Sequence, residues 1–184
     1  PGHAYDKVIT KQIAALQLHP SLEAALHILN HDLPSAHFLV RHMEAPPAVE
    51  GMTLHGILHC IEGDYDNARA WYKDILSDEA GKELLEKAWP GSNDDDDKGG
   101  EGVLAFVDDV EKLQKKKKIG GDTLQKAELE QKSLNGIAVV VRQCEEKFGT
   151  GRWEDASSAW TKSPEKNLKM QQAMITGGQG YRKF

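Results

Sequence analysis

What is scarce in this sequence narrows the reading first. Only two cysteines, Cys60 and Cys144, occur in 184 residues. They are too few for a disulfide framework in a chain long enough to bury a sizeable core. Both fall in helical patterns, so buried free thiols are expected. No apolar run approaches the ~18 residues of a membrane span, and the opening PGHAYDKVITKQ has no apolar h-region. These absences predict a soluble, cytoplasmic protein with no membrane partner. Positive charge is in deficit too, with a formal net charge of -6, which argues against a nucleic-acid partner. The single basic run, Lys115–Lys118, follows a helix end, where cations suit the dipole. No strand pattern is convincing, so no Gly-rich phosphate loop can follow one.

What is present is helical periodicity. Even the β-branched stretch 137–141 lies within Leu134, Ile137, Val141, Cys144 and Phe148, which recur at intervals of three and four and define one apolar face. Helices are predicted over 4–17 (Val8, Ile9, Ile13 and Leu16 inward), to about 30, from Asp32 as N-cap with Pro34 in the first turn, over 51–61, over 65–77 with Asp64 as N-cap, over 84–89, over 103–114 and over 123–148. Glu44-Ala45-Pro46-Pro47 ends the third. The expected fold is an all-α, single-domain bundle of antiparallel helices over residues 1–148. A tail over 149–184 follows, with short docked helices and Trp153, Trp160 and Tyr181 as anchors.

Residues 90–102, PGSNDDDDKGGEG, read as a flexible acidic linker. The aspartates Asp94–Asp97 lack the turn residues that separate the carboxylates of a calcium loop. The DDDDK string is similar to an enteropeptidase recognition sequence.

Histidine is concentrated. Seven of the eight lie between His19 and His59. His27/His31 and His55/His59 are spaced i,i+4, which sets two imidazoles one above the other on a helix, within reach of one metal ion. In the fourth helix Leu54, Ile57, Leu58 and Ile61 make one stripe. Met52, His55, His59 and Glu62 make another. His37 shares the inward Leu33, Ala36, Val40 face of the third helix. The expected ligand set is therefore His55, His59, His37 and Glu62, with zinc first among divalent metals. Glu62 is either a ligand or the proton acceptor for metal-activated water acting on a small molecule. The motif is not HExxH, because no Glu separates the two histidines. His31 adjoins a cap and is expected to face solvent. Cys60 neighbours His59 in sequence, so their side chains diverge and make no nucleophile pair. Trp71 and Tyr72 are either core or a surface on which a substrate stacks.

The segment GDYDNARAWY, with Gly56 seven residues before Gly63, resembles half of a tetratricopeptide repeat. The small residues Gly56 and Ala68 then stand at the helix crossing beside Tyr72. No second copy occurs at the ~34-residue period, and His55 and His59 stand where such repeats favour Leu and an aromatic. A longer stretch, LNHDLPSAHFLV followed by LHGILHCIEGDYDNARAWY, is similar to an uncharacterised group of fungal and bacterial helical proteins. That group has a His-Gly-x-x-His-x-x-Glu-Gly-Asp core and a later aromatic pair. A basic residue is common there at the place of Cys60. The resemblance implies a helical fold and a site but no reaction. Two rivals to a metal centre follow from the same residues. One is a tetratricopeptide-like interaction module holding a protein or peptide partner without metal. The other is a stability or assembly factor with no small-molecule ligand.

Overall fold

The computed structural model describes residues 3–91, 100–116 and 123–161. Among them are eight α-helices and no strand: α1 Lys7–Leu16, α2 Pro20–Leu29, α3 Leu33–Val40, α4 Val49–Glu62, α5 Tyr65–Ile75, α6 Glu79–Ala88, α7 Glu101–Lys116 and α8 Thr123–Phe148. A 3₁₀ turn covers Ala156–Ala159. This is the all-α bundle the periodicity predicts. None of the described helices is long and apolar enough to cross a membrane. The acidic run Asp94–Asp97, Lys117, Lys118 and Tyr181 lie outside the described residues.

Local chemistry starts most of the helices. The carboxylates of Asp6, Asp32 and Asp78 accept from the N–H groups of Val8, Ser35 and Gly81, each meeting a donor that the first turn leaves unpaired. His19 caps α2 with a ring nitrogen that accepts from Ser21 N–H at 3.2 Å. Pro20 and Pro34 stand in first turns, where no N–H is needed. Gly63 ends α4 in the left-handed region (φ 79°), its N–H turned back to Cys60 and His59 carbonyls. That conformation suits a residue without Cβ.

α4 is the centre of the bundle. Eleven of its fourteen residues are buried, because α2, α3, α5, α6 and α8 all pack on it. Its closest partner is α5. Ala68 and Tyr72 are fully buried there, and a Cβ at Gly56 would lie 2.8 Å from the Tyr72 ring. Leu54, Ile57 and Leu58 are buried as predicted, but Ile61, in the last turn, is exposed. Around Trp89 the core is aromatic: Tyr72 and Phe106 lie within 6 Å of it, and Gly136 of α8 admits the indole where a Cβ would clash at 2.3 Å.

Two predicted faces need correction. On α1 only Ile13 is buried, while Val8, Ile9 and Leu16 are exposed. α1 lies at the periphery against α2, so one turn reaches the core. Polar contacts hold it as well: Thr10 Oγ1 donates to Asp32 (3.0 Å) and Asn30 Nδ2 donates to the Asp6 carbonyl (2.9 Å). On α8 Leu134 is exposed, and the buried row is Leu129, Gly136, Ile137, Val140 and Cys144. The contact surface is set by the Trp89 indole seated on Gly136. The segment after α8 folds back: Trp153 N–H donates to Gln17 O at 2.7 Å, Thr161 N–H donates to His42 O at 2.8 Å, and the Trp160 ring lies 4.5 Å from the His42 ring. Trp153 and Trp160 are thus contacts of the tail.

Candidate metal centre

α3 is short and anchored by Asp32, whose Oδ2 accepts from Ser35 Oγ at 2.8 Å. With Leu33, Ala36, Leu39 and Val40 buried, His37 is left at the rim facing the end of α4. There His37 Nε2 lies 3.1 Å from Glu62 Oε2. His59, one turn before Glu62, has its Nδ1 3.9 Å from the same oxygen and 3.7 Å from Asp64 Oδ2. The donor atoms of His37, His59 and Glu62 all lie within 4.8 Å of one another, a group that could hold a metal ion. Tetrahedral zinc with bonds of about 2.0–2.2 Å spaces its donors roughly 3.3–3.6 Å apart, so the observed separations need only small side-chain adjustments.

The electrostatics favour neutral, ligating imidazoles. Burial, then the neighbouring His37, pushes the His59 pKa down, with Asp64 and Glu62 offsetting part of the effect. His55 is pushed down to about 2 by burial, then by His59, His37 and Arg41. Arg41 acts on both rings in the same direction, against two carboxylates beside His59. Nδ1 of His37, His55 and His59 are all buried without a hydrogen-bond partner. An orphaned ring nitrogen is costly in a folded interior; of the three, His59 Nδ1 faces the carboxylates at 3.7–3.9 Å, where a cation would supply the partner it lacks. The other nitrogen of His59, Nε2, lies 3.3 Å from the side-chain amide of Asn67. The amide nitrogen Nδ2 of Asn67 donates to it; taking up a metal at Nδ1 requires this amide to turn its oxygen toward Nε2, which then carries the ring proton.

The residues singled out from the sequence are not all placed alike. His37, His59 and Glu62 come together. His55 does not join their donor group: its ring stacks on His59 (4.9 Å, 14° between planes) and on Trp71 (4.3 Å). Imidazole lone pairs lie in the ring plane, so two nearly parallel stacked rings direct them side by side and not onto one ion. His55 is a buried wall of the site, with His37 edge-on to it at 5.3 Å. Tyr72, considered as a surface for a substrate, is fully buried against Gly56; it is core and has no face for one. Trp71 is half-buried on His55. The other i,i+4 pair also separates. His27 is buried within 3.4–3.7 Å of Asp32 and Glu23, whereas His31 stacks on Tyr5. Burial pushes the Cys60 thiol up to about 11 and raises that of Cys144 further, so both remain protonated. Asp64 stands at the N-cap of α5 but makes no side-chain cap bond and faces His59 instead. Asn67 carried no signal in the sequence, since its contact depends on how α5 turns back on α4.

Compared with models of protein families, with curated proteins and with solved structures, the chain matches none. The site is therefore read from its geometry alone.

Proposed function

We propose that this protein is a helical metal-binding protein whose centre, His37, His59 and Glu62, takes a divalent ion, zinc first. The observation that supports it is the convergence of three donors from two helices within 4.8 Å, with His59 Nδ1 among the carboxylates left without a hydrogen-bond partner. Two imidazoles and a carboxylate match the donor preferences of zinc better than those of calcium or magnesium, which favour all-oxygen shells. Three protein donors leave one position of a tetrahedral ion to a further ligand. Water there would give metal-activated hydroxide for chemistry on a small molecule; a fourth side chain would give a structural centre.

The test is elemental analysis and calorimetric titration with Zn²⁺ of chelator-treated protein, unmutated and as His37→Ala and His59→Ala. About one ion per chain, with affinity lost in both variants, is expected. No saturable binding in the unmutated chain would set the reading aside and leave a metal-free interaction module ahead.

A further inference from the structure

Asp64 opens α5, the position at which a short acidic side chain ordinarily accepts a backbone hydrogen bond. The other aspartates that open elements among the described residues do so. Asp6 accepts from Val8 N–H, Asp32 from Ser35 N–H, Asp78 from Gly81 N–H and Asp155 from Ser157 N–H. Asp64 alone among them makes no side-chain cap bond. Its Oδ2 lies 3.7 Å from His59 Nδ1, too long for a hydrogen bond, and that nitrogen has no partner. The backbone brings it there deliberately: Gly63 at φ 79° reverses the chain, and Asp64 N–H donates to the His59 carbonyl at 2.9 Å. The carboxylate is half-exposed (41%), so it can swing by rotation about its own side-chain bonds without disturbing the core.

We propose that Asp64 is the fourth protein ligand, closing the centre as a His37, His59, Glu62, Asp64 shell that ties α3, the end of α4 and the start of α5 around one divalent ion. This inference rests on the proposed metal-binding function and decides its character. Four protein ligands make a structural centre, with no position kept for a reacting water. The forgone cap is then explained, because the carboxylate is held for the ion.

Co²⁺ is the probe, titrated into unmutated full-length chain, Asp64→Ala and His59→Ala, with visible spectra recorded before and after adding thiocyanate. The unmutated complex should show the intense bands of four-coordinate Co²⁺ and ignore thiocyanate. Asp64→Ala should bind at least tenfold more weakly and change spectrum on adding the anion, which enters the opened position. Its metal-free thermal midpoint should match that of the unmutated chain, since no cap bond is lost. Asp78→Ala, which does lose one, should show the converse: lower metal-free stability with unchanged Co²⁺ affinity. If Asp64→Ala keeps the affinity and spectrum of the unmutated protein, the fourth-ligand assignment is overturned while the three-donor centre stands. If the unmutated chain binds no Co²⁺, both fall.

Discussion

At the scale of single residues, two buried histidines outside the donor group can be told apart from ligands by what they lose. His55 is 5% exposed and fills space between His59 and Trp71. Its removal in His55→Ala should cost on the order of 2 kcal/mol through the cavity left behind, seen in urea unfolding, while metal stoichiometry stays at one. A loss of binding equal to that of His59→Ala would return His55 to the ligand set. His19 lies apart from the centre, stacked on Phe148 at 3.5 Å. Burial, and then Lys147, pushes its pKa down to about 4. Between about 4 and the ordinary 6.5 the unfolded chain holds this proton and the folded chain does not, so stability rises with pH and falls on acidification. The contribution is up to about 1.4 kcal/mol per pH unit, ending below about pH 4. His19→Asn keeps a capping side chain without titrating. Its metal-free stability should decline less steeply between pH 6.5 and 4, by roughly that slope; equal slopes would place the ring in its ordinary range.

At the scale of elements, the α4–α5 hairpin carries both the core and the centre. Gly56 is where α5 comes closest, and Tyr72 occupies the space a side chain would need. Alanine at that position gains about 1 kcal/mol in helix propensity but overpacks an interior at a cost of typically 1–3 kcal/mol. Gly56→Ala is therefore expected to destabilise by up to about 2 kcal/mol net, and to weaken metal binding by shifting the α4–α5 turn that holds Asp64. Unfolding by urea together with Zn²⁺ titration reads both effects. A stabilised variant would mean that Tyr72 moves aside freely. Between α5 and α7, Arg69 donates to Asp108 at 2.7 Å and also reaches Glu111. This network fixes the outer face of α5 but stands apart from the centre.

At the scale of the whole molecule, one ion pair joins regions far apart in sequence. Glu50, in the first turn of α4, is fully buried, and Lys147 Nζ near the end of α8 donates to both its oxygens at 2.9 and 3.1 Å. The lysine is itself 41% exposed, so the pair is half wet and contributes little beyond compensating the carboxylate. Removing only the cation strands a buried charge. Lys147→Met should therefore cost about 3 kcal/mol, whereas Glu50→Gln with Lys147→Met should recover most of it; the unfolding free energies of the double-mutant cycle decide. A metal bound at the proposed centre would act on the same scale. An ion that binds only the folded chain stabilises it by RT ln(1 + [M]/Kd), about 2.7 kcal/mol at a hundredfold excess over Kd. The thermal midpoint should fall on chelation in the unmutated protein and stay unmoved in His59→Ala. A midpoint indifferent to chelator in both would leave the centre without a role in the fold.

The order of helices was legible in the chain because it depends on local terms: period, capping residues such as Asp32 and Asp78, and the prolines and glycines that punctuate. His37, His59 and Glu62 were legible as donors for the same reason, since helical spacing places residue types on faces. Three matters waited on tertiary packing. Which side of a helix is buried depends on how many neighbours it has, so peripheral α1 exposes Val8 and Leu16 while central α4 is covered on nearly every side. The i,i+4 spacing set His55 over His59, but ring orientation, fixed by Trp71 packing on His55, took it out of the donor group. Asp64 looks like a cap in the sequence because capping is a local event; only the turn of α5 against α4 brings its carboxylate to His59. Residue type and spacing decided what chemistry is available, and the directions of side chains, which depend on contacts remote in sequence, decided which residues share it.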